Sequence, residues 1–124
     1  DVCHTALVKP NCSFKRLAQA GQRVRAAIGH TVKVELEVDT LSQLEEGLEV
    51  GVDVVMLDNM TPEQLKHAVE MRDEMCGKNA KPLLEASGNI TLDNVSAIAQ
   101  CGVDRIAIGA ITHSATAVDI GLDR

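Results

Sequence analysis

Aromatic side chains are almost missing from this sequence: one of its 124 residues is Phe, and there is no Tyr or Trp. Phe14 alone cannot sandwich an isoalloxazine ring, so no flavin is expected, and the stacking platforms of single-strand binders are absent too. Clustered basic charge is equally scarce. Twelve Lys and Arg against 18 Asp and Glu leave a formal net charge of −6, opposite in sign to the footprint that nucleic acid requires, so no nucleic-acid partner is expected. Long apolar runs are lacking as well; Val52 to Leu57 is already broken by Asp53, and neither a membrane span nor a secretory leader is read. The expected setting is the cytoplasm, away from membranes.

The four cysteines, Cys3, Cys12, Cys76 and Cys101, include no C-x-x-C pair, which excludes a zinc ribbon and a dense disulfide scaffold. They are read as free thiols, with no zinc. Cys76 and Cys101 each precede a Gly at an apparent helix end and suit small apolar packing groups. Cys3, His4 and Cys12 offer no fourth metal ligand in sequence reach, and His30, His67 and His113 have no partner at a recognisable spacing.

What is present is a regular alternation. Apolar, β-rich runs at Thr5–Val8, Val32–Val38, Val52–Leu57, Leu83–Ala86 and Arg105–Ile108 are each followed by a segment of helical period, a pattern that calls for a parallel sheet. Thr40 and Thr61 stand three residues before Gln43 and Gln64 as capping boxes, and Pro62 takes the first helical position, where a missing N–H costs nothing. Gly29, Gly51, Gly77 and Gly102 each close a helical run, and a shorter fifth helix is expected near His113–Ile120.

The length fits one domain, residues 1–124, and falls well below the roughly 250 residues of an eight-stranded α/β barrel. Five βα units match an open, three-layer sheet of flavodoxin-like (βα)5 type with strand order 2-1-3-4-5 and helices on both faces. In the second strand Lys33, Glu35 and Glu37 alternate with Val32, Val34, Leu36 and Val38, so one face carries three charges; an edge position tolerates them. The alternative is a partial TIM-like barrel, its charges pointing to the barrel interior, completed by oligomerisation. The open sheet is preferred because a half-barrel would leave the inward residues of Val54–Leu57 and Ile106–Ile108 wet.

Parallel sheets meet their ligands at the carboxyl ends of strands. Those ends are Lys9, Glu37, Asp58, Ser87–Gly88 and Gly109, spaced by 28, 21, 29 and 22 residues, one βα unit each. A cation, two carboxylates and two Gly-containing turns are thus expected on one rim. Ser87-Gly88-Asn89 before a helix beginning near Thr91, and Gly109-Ala110 before the last helix, could offer backbone N–H groups to a phosphate, or could simply be tight turns. Glu37 and Asp58 suit Mg²⁺ or ribose hydroxyls, or else a solvated face and turn hydrogen bonds. Arg16, Arg23 and Arg25 fall on the first helix, away from strand ends.

The strings Val34-Glu35-Leu36-Glu37-Val38-Asp39, Met56-Leu57-Asp58-Asn59, Leu84-Glu85-Ala86-Ser87-Gly88-Asn89 and Gly109-Ala110-Ile111-Thr112-His113-Ser114 together resemble quinolinate phosphoribosyltransferase, also called nicotinate-nucleotide pyrophosphorylase. The resemblance runs from about Ala6 to the end and covers the C-terminal portion of that family's barrel domain. It implies a transferase of NAD biosynthesis that joins quinolinate to phosphoribosyl pyrophosphate with Mg²⁺ and releases pyrophosphate and carbon dioxide to give nicotinate mononucleotide. It further implies Glu37 and Asp58 for the ribose and metal region, Ser87, Gly88, Asn89, Gly109 and Ala110 for the 5′-phosphate, and Lys9 for a quinolinate carboxylate. Where the family continues its lysine with Asp-Asn-His, this chain has Pro10-Asn11-Cys12, and the family's arginine and histidine cluster has no counterpart within the sequence. Two readings follow. One is a domain that keeps a phosphoribosyl-binding rim without turnover of its own; the other is an active or fragmentary enzyme. A receiver-like role for Asp58 is a minor third, since Lys9 and Gly109-Ala110-Ile111 stand where receivers need acidic residues and a lysine.

Overall fold

The computed structural model describes residues 5–8, 26 and 32–109, with residues 5–8 as backbone. In chain order the elements are strand β1 (Thr5–Val8), strand β2 (Lys33–Val38), helix α1 (Leu41–Val50), strand β3 (Val54–Asp58), helix α2 (Pro62–Cys76), strand β4 (Leu83–Ser87), helix α3 (Val95–Ala99) and strand β5 (Arg105–Ile106). The expected helix end at Gly29, the expected helix near His113–Ile120, and Cys3, His4, Lys9, Cys12, Phe14, the first-helix arginines, His30, Ala110 and His113 lie outside the described residues.

Local chemistry explains the helix starts. Thr40 Oγ1 accepts the Gln43 N–H at 3.2 Å, and Gln43 Oε1 accepts the backbone N–H groups of Asp39 at 2.8 Å and Thr40 at 3.3 Å. Thr61 and Gln64 repeat the exchange at 3.3 and 2.8 Å, and Pro62 opens α2. Each box satisfies donors that the first turn leaves orphaned. The third helix departs from expectation, beginning at Val95 instead of near Thr91. The Asn94 side chain accepts the Thr91 N–H at 2.8 Å and donates to the Asn89 carbonyl at 2.9 Å, which holds residues 92–94 as a turn.

The strands lie side by side in the order β1-β2-β3-β4-β5, and every neighbouring pair is parallel. Four are full strands of four to six residues, whereas β5 has only two. This corrects the expected 2-1-3-4-5 order, and with it the doubly wound sheet and the receiver-like alternative. β2 is flanked by β1 and β3 and is no edge. Consecutive crossovers of the usual right hand put the three described helices on one face of the sheet, the winding of a barrel segment. Accordingly α1 packs on α2 and α2 on α3. One core holds Leu44 of α1, Leu65 and Ala68 of α2 and Ile98 of α3 against Val34, Leu36, Val38, Val55, Leu57, Leu84 and Ala86. Full burial of each Leu or Val contributes about 1.5–3 kcal/mol.

The opposite face explains why the preference for an open sheet fails. It carries Lys33, Glu35, Glu37, Asp58, Glu85 and Arg105 around Val54, Met56 and Leu83, of which Val54 is buried and the other two half-buried; charges dominate the side without helices. Glu35 shows the strain of that arrangement. Its Oε1 is buried with no hydrogen-bond partner, and its carboxyl is pushed above the ordinary value of 4.5, first by desolvation, then by Glu85, against the pull of Arg105. A raised carboxyl holds its proton more tightly in the folded state, so the stability it contributes is full below pH 4.5 and is lost as pH rises through the folded value. Urea unfolding of Glu35→Gln between pH 4 and 8 is expected to show a flatter pH dependence than the parent and a gain of about 0.5 kcal/mol at pH 7, small because the carboxyl is partly solvated. An unchanged pH slope would refute that origin.

At the amino ends of the strands a short motif recurs. Gly51-Val52-Asp53 enters β3 and Gly102-Val103-Asp104 enters β5. In each, the Gly has positive φ (74° and 87°), Gly51 as the left-handed cap of α1 and Gly102 in the turn after α3, and the Asp clamps one residue of the neighbouring strand by both backbone groups. Asp53 donates its N–H to the Val34 carbonyl at 3.0 Å and accepts the Val34 N–H at 2.7 Å; Asp104 does the same to Leu84 at 2.9 and 2.8 Å. Asp104 Oδ2 also pairs with Nη1 of Arg72, which is only 7% exposed within α2. Arg72 Nε reaches Asp73 at 3.0 Å, and Lys81 joins the same carboxylate at 3.0 Å, so Lys81 and then Arg72 hold the Asp73 carboxyl below its usual range.

Candidate functional site

The register fixes which side chains meet at the carboxyl end. Asp58 stands opposite Ser87 across β3 and β4, and Glu37 opposite Met56 across β2 and β3. With side chains alternating between faces, Glu37, Asp58 and Ser87 all lie on the face without helices. Carboxylate oxygens of Glu37, Asp39 and Asp58 lie within 4.8 Å of one another; Glu37 and Asp58 are half-buried and Asp39 is exposed. The sequence reading found the first and third but not Asp39, although its signal was present: Asp39 follows Glu37 by two residues, the spacing that returns a side chain to the same face.

These donors fit a hard cation. Three carboxylates within reach of one point suit Mg²⁺, whose ligands are oxygens, and the group contains no His or Cys to favour a softer metal.

Beside the carboxylates, Ser87, Gly88, Asn89, Ile90, Thr91, Ala107 and Gly109 line a cavity of about 460 Å³. It joins the turn after β4 to the segment after β5, as the spacing of Ser87 and Gly109 predicts. What differs is the source of its N–H groups. The helix expected to present its first turn there is five residues long and begins at Val95, so the donors available are those of the turn itself. That turn is tightly built. Gly88 has φ 83°, and a Cβ at this position would lie 2.7 Å from Asn59 Cγ and 2.9 Å from Asp58 Oδ1, with Asn59 Oδ1 closer still. Only glycine allows both the conformation and the approach.

Hydrogen bonds join the two halves of the rim. Asn59 Nδ2 donates to Asp58 Oδ2 at 2.9 Å, Asn59 Oδ1 accepts from Asn89 Nδ2 at 2.9 Å, and the Asn59 N–H reaches the Ser87 carbonyl at 2.9 Å. Asn59 and Asn89 are the described non-glycine residues with positive φ, 53° and 51°. Among the described basic residues, Arg72 is bound to Asp104 and Asp73, and Arg105 lies 4.0 Å from Glu85. Both are away from this rim. Cys101 is buried and its thiol donates to the Ala97 and Pro62 carbonyls, in keeping with a packing role, while Cys76 is only half-buried. Among the described residues no helix is long and apolar enough to cross a membrane.

Comparison with known proteins shows the family and agrees with the fold. The family described as quinolinate phosphoribosyl transferase, C-terminal domain, matches residues 2–123. A Methanocaldococcus jannaschii protein named "Probable nicotinate-nucleotide pyrophosphorylase (carboxylating)" is 40% identical over 119 residues, which are 94% of this chain and 42% of that protein. The nicotinate-nucleotide pyrophosphorylase (carboxylating) of Mycobacterium leprae is 40% identical over 96% of this chain and 41% of its own length. The solved nicotinate-nucleotide pyrophosphorylase of Francisella tularensis superposes with a TM-score of 0.78 at 34% identity, over 96% of this chain and 40% of that one. The chain therefore spans about two fifths of the length of these relatives.

Proposed function

The chain belongs to the quinolinate phosphoribosyl transferase family, as its C-terminal domain, and from that premise we propose that it supplies the phosphoribosyl-binding and cation-binding part of such an enzyme without completing the reaction by itself. One observation carries the reading: the Glu37, Asp39 and Asp58 carboxylates converge beside the Ser87–Gly88–Asn89 turn, at the end of a parallel sheet where such folds take their ligands. The turn's N–H groups and the Ser87 hydroxyl bind the 5′-phosphate, with Gly109 bordering it, and Ala110 is proposed to contribute as the resemblance implies. Glu37 and Asp58 orient the ribose, and with Asp39 they hold Mg²⁺. When bound, Mg²⁺ would neutralise the charge of a departing pyrophosphate. The half-buried carboxylates of Glu37 and Asp58 stabilise positive charge developing at the ribosyl carbon. Lys9 is proposed to meet a substrate carboxylate.

A dicarboxylate needs a cationic clamp, and no described arginine lies at this rim. Binding without turnover is what we propose for the chain alone. The named reaction of the relatives, made of a whole longer protein, comes to this chain only as part of that proposal. A setting in the cytoplasm and association into an oligomer belong to the same reading.

Calorimetric titration with phosphoribosyl pyrophosphate and Mg²⁺ tests it. The parent chain is expected to bind, Ser87→Ala to bind about tenfold more weakly, and Asp58→Asn to lose most of the Mg²⁺-dependent part of the affinity. Absence of binding by the parent would end the proposal, and release of pyrophosphate on adding quinolinate would show that the chain is a complete catalyst.

A further inference from the structure

We propose that Asn59 is a positioning residue that couples the two halves of the rim, so that a divalent cation at Glu37, Asp39 and Asp58 and a phosphate at the β4 turn each strengthen the binding of the other. This rests on the reading of the site given above and adds the coupling.

Asn59 is exposed, and an exposed amide ordinarily spends its hydrogen bonds on water. Here both ends of the amide are engaged within the protein, and on different elements: the donor on Asp58 Oδ2, in the carboxylate group at the end of β3, and the acceptor on Asn89 Nδ2, in the turn after β4. The backbone adds a third tie through the Asn59 N–H to the Ser87 carbonyl. The chemistry of the residue is specified at each point. A carboxylate at Asp58 only accepts, and the Asn89 amino group only donates, so the bridge must carry a donor and an acceptor on one short side chain. The backbone at φ 53° admits Asn or Gly with least strain, and Asn alone meets both demands. Asp at this position could not donate to Asp58.

The turn is restrained from its other side as well. Asn94 holds the Asn89 carbonyl and the Thr91 N–H, so a ligand that orders the turn orders Asn89 as a whole. Ordering Asn89 fixes Asn59, and Asn59 fixes the orientation of the Asp58 carboxylate. A phosphate on the turn thereby meets in advance part of the ordering cost of cation binding, and by linkage the cation does the same for the phosphate. Gly88, whose lack of a Cβ admits the Asn59 side chain, is the condition for the bridge.

The test titrates the whole chain with Mg²⁺ in the absence and presence of saturating inorganic phosphate, subtracting the heat of Mg²⁺ with phosphate alone. The readout is the ratio of the two Mg²⁺ affinities. In the parent the ratio is expected to be about fivefold; in Asn59→Gly, which keeps the turn conformation and loses the bridge, it is expected to fall to about one, and Asn59→Asp should behave likewise. Thermal melting followed by circular dichroism establishes that both variants are folded. A fivefold ratio retained in Asn59→Gly, or a ratio of one in the parent, overturns the coupling. So does complete loss of both single-ligand affinities in a folded Asn59→Gly, which would make Asn59 a direct ligand. Binding of neither Mg²⁺ nor phosphate by the parent is a different result, and it removes the functional reading itself.

Discussion

Asp104→Ala is expected to lower the free energy of unfolding by about 3 kcal/mol, read as a drop in the urea midpoint at unchanged slope. Asp104 Oδ2 carries two obligations at once: the Leu84 N–H at 2.8 Å and the Arg72 guanidinium. Its removal strands a strand N–H and leaves a buried cation with only Asp73, whose side chain is 45% exposed, for company. Truncating one partner of a buried pair costs about 3–5 kcal/mol, and the partial exposure of Asp104 places this case at the lower end. Replacing the arginine too should recover much of the loss, because Arg72→Met in the Asp104→Ala background removes the stranded charge. A loss below 1 kcal/mol, or no recovery in the double variant, would contradict the assignment.

Gly88→Ala should have the largest effect on ligand binding. The added methyl meets Asn59 Cγ at 2.7 Å and Asp58 Oδ1 at 2.9 Å, in a backbone with φ 83°. Asn59 must leave its place, the bridge to Asn89 breaks and the Asp58 carboxylate turns. The expected loss of affinity for phosphoribosyl pyrophosphate with Mg²⁺ is at least about 30-fold, with about 1–2 kcal/mol of stability lost to the left-handed backbone. Gly51→Ala is the control. Gly51 has a similar φ of 74° but nothing within 4 Å of a Cβ, so it shares the backbone penalty without the collision. Equal loss of affinity in both variants would attribute the Gly88 effect to instability alone.

The contrast between these positions shows what a linear reading can reach. The Thr40 and Thr61 boxes, Pro62 and the Gly51 stop are interactions among residues at most four apart, and they stand in the structure as the string suggests. The residues that bring Glu37, Asp58, Ser87 and Gly109 to one end were legible because each closes a β-rich run, and parallel strands share a direction. Strand order was not legible. The charges of Lys33, Glu35 and Glu37 are equally compatible with an edge strand and with a face turned from the helices, and only the side taken by successive crossovers decides between them. Arg72 was invisible for another reason: its partner Asp104 lies 32 residues away, and nothing in α2 distinguishes a buried arginine from a solvated one. The role of Asn59 was hidden in the same way, because it depends on Asn89, 30 residues on.

The Asp53 and Asp104 clamps have a consequence for how such a chain can change. They grip the sheet at the end from which its strands depart, while the carboxylates, the cavity and the asparagine bridge gather where the strands arrive. Durability and chemistry therefore occupy separate territories. Randomising Asn59, Met60 and residues 88–89 and 91–93, while leaving Thr61, the buried Ile90, Asn94, Gly51–Asp53 and Gly102–Asp104 intact, should yield many variants that still fold and differ in what they capture, a latitude that a site built from its own supports would forfeit.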